Sequence, residues 1–106
     1  MKYTVVTKEN IGEIKSSSSL VVLDFWATWC GPCRMVASEF EEITDEEAGN
    51  VILGKVNVDE QPELSDEYNI KFIPDLIFVK NGKVVYNESG YKTKEQLLEL
   101  FKKYGG

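Results

Sequence analysis

The sequence predicts an α/β fold, a central mixed five-stranded sheet flanked by four helices. Three observations predict it. Residues 20–27 are apolar on both alternating faces, the pattern of a strand buried on both sides. Strand-like and helix-like segments alternate along the chain, which packs helices on the faces of a sheet. Near the end the alternation stops. Two apolar runs flank Lys80-Asn81-Gly82-Lys83, and Asn-Gly between such runs signals a tight antiparallel hairpin, so the sheet is mixed.

Each element has its own reason. Residues 3–6 are a short β-favouring run. Thr7 is placed to cap a helix carrying Ile11 and Ile14 on one face. Ser16-Ser17-Ser18-Ser19 ends that helix and turns the chain into strand 20–27. Trp29-Cys30-Gly31-Pro32-Cys33 is a loop entering the second helix. Val36, Phe40 and Ile43 line one face of that helix, and Glu39, Glu41, Glu42, Asp45 and Glu46 lie largely on the other. Gly49 and Asn50 break it. Residues 51–58 read as a second central strand, interrupted by Gly54 and Lys55. Pro62 suits the first position of a short third helix, on which Leu64 and Tyr68 share a face. Residues 76–79 and 84–86 are the hairpin strands. Thr93 with Gln96 makes a capping box for the last helix, whose buried stripe is Leu97, Leu100, Phe101 and Tyr104.

Composition narrows the function. The chain of 106 residues suits one domain, residues 1–106, able to bury a core without staples. Apolar content of 42% and charged content of 28% describe an ordinary globular protein. A net charge of -6 argues against nucleic acid, whose binding rests on basic contacts to phosphate. No segment approaches the length of a membrane helix, and the opening apolar run is too short for a signal peptide. A cytoplasmic location and no membrane partner are the expectations.

There are two cysteines and no histidine. Cysteines two residues apart in a reducing compartment point to redox chemistry or metal binding rather than a structural framework. Zinc would need carboxylate ligands or a site shared between chains. Histidine-based acid–base catalysis is excluded. A disulfide closing so small a loop adds little stability, but the spacing makes the bond reversible. One thiolate attacks a substrate disulfide and the other resolves the mixed disulfide. The pair follows a buried strand, where α/β sheets place their sites, and sits at a helix start, whose partial positive charge favours a thiolate. Cys30, nearest the turn, is expected to be the more exposed sulfur and the nucleophile. Cys33, one turn in, is expected to be covered and to resolve. Asp24 interrupts an apolar strand; burial there is costly and should raise its pKa. Trp26 reads as a core packer beneath the pair.

Asp24-Phe25-Trp26-Ala27-Thr28-Trp29-Cys30-Gly31-Pro32-Cys33-Arg34-Met35 resembles the active-site segment of the thioredoxin family nearly residue for residue. Lys55-Val56-Asn57-Val58-Asp59 and Ile73-Pro74 resemble two further landmarks at the right spacing. The resemblance implies a thioredoxin fold and a protein-disulfide reductase, or electron carrier, working through Cys30 and Cys33. By resemblance Asp24 takes and returns the proton of Cys33, and the Lys55 ammonium lies near Asp24 and tunes it. Gly31 and Pro32 set the redox poise toward reduction. Trp29 covers the site and contacts partners. Ile73 and Pro74 are implied to form a cis bond facing the disulfide, where the backbone of Ile73 pairs with an extended substrate segment. Gly90 flanks the same groove. The implied partners are protein disulfides and a thioredoxin reductase of the flavoprotein type using NADPH. The chain is implied to act as a monomer. It carries no dinucleotide fingerprint, so no cofactor of its own is expected.

The sequence departs from the family pattern at a few positions. Asp75 stands where threonine is usual, and its charge is expected close to the sulfurs, disfavouring a thiolate. Phe72 and Tyr91 are bulky beside the groove. Ser38 replaces a proline that kinks the helix in many members. A glutathione-linked oxidoreductase is opposed by Gly31-Pro32 and Asp24, which glutaredoxins do not share. A binding module would use the fold as a surface in addition to this chemistry, and a metal-binding protein is the third alternative.

Overall fold

The strand with two apolar faces is the middle of the sheet. The computed structural model describes residues 1–105. In chain order the elements are β1 (Thr4–Val5), α1 (Ile11–Lys15), β2 (Val21–Trp26), α2 (Gly31–Glu42), α3 (Asp45–Ala48), β3 (Ile52–Asn57), α4 (Pro62–Glu67), β4 (Asp75–Lys80), β5 (Lys83–Ser89) and α5 (Lys94–Gly105). The five strands lie in the order β1-β3-β2-β4-β5. β1, β3 and β2 run parallel, while β4 is antiparallel to β2 and β5 antiparallel to β4. The mixed five-stranded sheet is therefore as expected. The hairpin turns through Asn81 and Gly82, both at positive φ (53° and 79°), as such tight turns require.

Helices cover both faces, and the strands feed two cores by alternation. Leu20 and Val22, Leu76 and Phe78 pack with Val36 and Phe40 of α2 and Leu97 and Phe101 of α5. Leu23, Phe25, Ile77 and Val79 pack on the opposite face with Ile11 of α1 and Leu64 of α4. Phe25 and Phe78 are fully buried. Each such burial is worth about 1.5–3 kcal/mol, which makes β2 and β4 the anchored strands.

Three expectations are corrected. Five helices, not four, are present among the described residues. The helix expected to run to Gly49 ends at Glu42, because Ile43 turns extended (φ -75°, ψ 122°). Thr44 then starts α3 with a capping box: its side chain accepts from the Glu47 N–H and Glu47 accepts from its N–H, each at 3.0 Å. Thr7 does not cap α1 through its side chain. Its N–H instead donates to Asn10 Oδ1 at 2.7 Å, and its carbonyl accepts from Asn10 and Ile11. Gly54 and Lys55 do not interrupt β3. Gly54 is where Val6, just after β1, and Leu23 of β2 crowd β3, since a Cβ there would lie 2.6 Å from Val6 Cγ2 and 3.3 Å from Leu23 Cδ2.

Candidate active site

β2 ends at Trp26, and the chain turns at once into α2. Cys30 is the N-cap residue of α2, in extended conformation (φ -95°, ψ 109°). Its Sγ accepts the Cys33 N–H at 3.2 Å, so a sulfur takes the place of the usual serine or aspartate oxygen. Pro32 in the first turn gives up an N–H that would have had no helical partner. Cys30 and Cys33 are joined by a disulfide, with Cα atoms 5.2 Å apart. The expected contrast in exposure is small, since the residues are 5% and 3% exposed. Surroundings separate them better. Cys30 Sγ caps the helix and lies 3.8 Å from the carbonyl oxygen of Ile73, at the edge of the fold. Cys33 is inside the helix, packed with Ala27.

Asp24 follows Val22 by two positions, so it lies on the face of β2 covered by α2. It is 1% exposed, and neither carboxylate oxygen has a protein hydrogen-bond partner. Burial pushes its pKa up from 3.8 to about 7, opposed by the charge of Lys55. Lys55 is its register partner on β3. The ammonium does not close an ion pair with Asp24 but sits between two rings, 5.1 Å from the centre of Tyr3 and 5.2 Å from that of Trp26. Trp26 packs against the cluster of Ala27, Cys30 and Cys33.

The far wall of the site comes from the loop before β4. The Ile73–Pro74 bond is cis. Gly90, at φ 102°, donates its N–H to the Pro74 carbonyl at 2.8 Å. Trp29 is 67% exposed at the rim, and its indole N–H donates to Asp59 Oδ2 at 2.9 Å. Phe72 is also strongly exposed. Of these residues, Ile73 packs directly against the two cysteines, and Gly90 is tied to the same loop through Pro74. Gly31 stands between the cysteines with open space around its Cα, the nearest neighbour of an added Cβ being Arg34 Nη2 at 3.9 Å.

Asp75 opens β4. It alternates with Leu76, which packs toward α2, and so shares the opposite face with Ile77 and Val79. There it is buried and accepts a hydrogen bond from Asn87 Nδ2. Burial raises its pKa, and the Asn87 bond opposes the rise. The carboxylate lies on the sheet face opposite the one covered by α2, tied to Asn87. Ser38 donates its hydroxyl to the Arg34 carbonyl at 3.3 Å, and α2 runs unbroken through it.

Three residues without an assigned role in the sequence hold residues that had one, or their neighbours. Asp59 holds the Trp29 indole, Asn87 holds Asp75, and Glu39 reaches across to Tyr91 and Lys94. Asp59 lies inside a quoted landmark, which was the available signal. Glu39 had none, since it sits on the polar face of its helix and its partners are more than fifty positions away. Among the described residues, no group of three or more Cys, Asp or Glu is placed to hold a metal, and no helix is long and apolar enough to cross a membrane.

The sequence model of the Thioredoxin family matches residues 2–103. The thioredoxin of Listeria monocytogenes is 47% identical over 92 residues, covering 87% of this chain and 89% of that protein. That of Chlorobaculum thiosulfatiphilum is 38% identical over 106 residues, covering 99% and 98%. The crystal structure of the Malassezia sympodialis thioredoxin Mala s 13 superposes with a TM-score of 0.88 at 34% identity, covering 99% of this chain and 92% of that one.

Proposed function

The chain belongs to the thioredoxin family and is a thiol–disulfide oxidoreductase; from that premise we propose a division of labour among its site residues. In the reduced protein, the Cys30 thiolate attacks one sulfur of a substrate disulfide and expels the other as a thiolate. A mixed disulfide forms on Cys30. Cys33 then gives its proton to Asp24 and attacks Cys30 Sγ. The second substrate thiolate leaves, and the Cys30–Cys33 disulfide remains. Two electrons pass to the substrate, and each of its thiolates takes up a proton.

The position of Cys30 Sγ carries this reading. It is the cap of α2, where N–H groups and the helix dipole favour negative charge. Asp24 supports the second step, because a carboxylate that titrates near 7 can both accept and return a proton at neutral pH. Lys55 tunes it from the neighbouring strand. Gly31 and Pro32 shape the loop around the sulfurs and set the poise toward reduction. Ile73, Pro74 and Gly90 form the wall against which an extended substrate segment lies, the Ile73 backbone pairing with it, and Trp29 closes the other side.

The chain works as one unit over residues 1–106, as a monomer in a reducing cytoplasm. A flavoprotein reductase using NADPH returns it to the dithiol. Supporting this are the reversible two-residue spacing and a net charge of -6, which suits neither nucleic acid nor an anionic membrane.

The test is trapping. Cys33→Ser should hold protein partners as mixed disulfides on Cys30 that dithiothreitol releases, while Cys30→Ser holds none. Insulin reduction with dithiothreitol should require both cysteines. Reduction above background by the double variant would sink the reading.

A further inference from the structure

Glu39 divides its carboxylate between two partners on the far side of the groove. Oε2 accepts the Tyr91 hydroxyl at 2.7 Å, and Oε1 accepts the backbone N–H of Lys94, the first residue of α5, at 2.7 Å. Tyr91 adjoins Gly90, which is bonded to the Pro74 carbonyl at 2.8 Å. Pro74 follows Ile73, whose carbonyl lies 3.8 Å from Cys30 Sγ. The contacts close a ring. They leave α2 at Glu39, pass through Tyr91, Gly90, Pro74 and Ile73, and return to α2 at Cys30.

We propose that Glu39 and Tyr91 are a clamp that holds the Gly90–Pro74 wall at a fixed distance from the sulfurs and so determines how well protein substrates dock. Both are positioning residues, acting through Gly90 and Pro74. The inference rests on the reading of that wall as the substrate groove.

The loop they hold has no regular structure between β5 and α5. Gly90 at its head is at φ 102°, a conformation in which glycine carries no side-chain restraint of its own. The Lys92–Glu88 and Lys94–Glu47 pairs and the Thr93–Gln96 box anchor the far end of this loop, whereas at its Gly90–Tyr91 end the bonds are the one to Pro74 and the one to Glu39. A bond to a carboxylate is stronger than one between neutral groups. The Tyr91 bond and then the Lys94 N–H hold the Glu39 carboxyl below its usual range, so it is ionised at neutral pH. A wall ordered before the substrate arrives need not be ordered on binding, which lowers the free-energy cost of docking. A small disulfide, which reaches the sulfur without lying along the wall, gains nothing from it.

Stopped-flow oxidation of the reduced protein by increasing insulin separates half-saturation from limiting rate, and a small aromatic disulfide (dithiobisnitrobenzoate) reports intrinsic thiol reactivity. Tyr91→Phe keeps the ring and loses the hydroxyl; Glu39→Ala loses both bonds. Each should raise the half-saturating insulin concentration about threefold at an unchanged limiting rate, with the small disulfide reacting at the parental rate. Glu39→Gln should recover most of the docking lost in Glu39→Ala but not all of it, since its amide oxygen can accept from Lys94 and its NH2 can donate to the tyrosine oxygen, both without the charge of the carboxylate. Parental half-saturation in Tyr91→Phe and Glu39→Ala, or a parallel fall with the small disulfide, would overturn the clamp. Amide exchange at Ile73 keeps the two readings apart. If a peptide held as a mixed disulfide on Cys33→Ser does not protect that N–H, the groove itself is wrong; if it does and the variants dock normally, only the clamp is.

Discussion

Asp24 is a carboxyl group in the middle strand of the sheet, shut off from solvent and without a protein hydrogen bond. Its sequence position announced the burial, because a lone acid stood between Leu23 and Phe25 in an otherwise apolar strand. The partner at register, Lys55, could not be read that way, since a lysine in a strand can extend its stem to solvent as easily as lean on a ring. The folded pKa is raised from 3.8 to about 7, so between those values the native protein keeps a proton that the unfolded chain has released. Stability therefore falls as pH rises through that window, by about 4 kcal/mol at full ionisation. Asp24→Asn should unfold at higher denaturant than the parent at pH 8, with the advantage shrinking toward pH 4. The same variant should reduce insulin more slowly. A variant as fast as the parent from pH 6 to 9 would remove the proton-relay role.

At the scale of elements, most of the legible signal was periodic. The alternation in β2, the Asn81-Gly82 turn and the Thr93–Gln96 box each produced the element expected, the box with bonds of 2.9 and 3.2 Å. The break between α2 and α3 went unread because the apolar stripe continues through Ile43, while the decisive feature was local. Thr44 and Glu47 spell a capping box inside an acidic run that also reads as a solvated helix face. Gly54 misled in the other direction. In isolation it weakens a strand, but here its missing side chain lets Val6 and Leu23 close over β3. Gly54→Ala should cost about 1–3 kcal/mol in denaturant unfolding, through the contact with Val6 rather than through any loss of activity at the sulfurs. An unchanged unfolding midpoint would mean that β1 yields freely.

The whole molecule has a Cα radius of gyration of 12.5 Å, close to the ~13 Å of a compact unit of about 100 residues. Sedimentation equilibrium of the oxidised protein should give 12.0 kDa across a wide concentration range, and a mass rising toward twice that value would contradict a monomer. Pairings that span the chain, such as Glu39 with Tyr91 or Trp29 with Asp59, belong to this scale and were invisible to local patterns. Their partners meet only once the sheet order is set. On the proposed division of labour, that order puts proton handling and the choice of partner on different kinds of scaffold. Asp24 and Lys55 belong to inner strands of the sheet, whereas Phe72, Gly90 and Tyr91 stand in connecting segments, where sequence varies more readily than in the elements they join. On that division, substitutions in the loops would change which partners dock while leaving the reactivity of the sulfurs to the inner strands and α2.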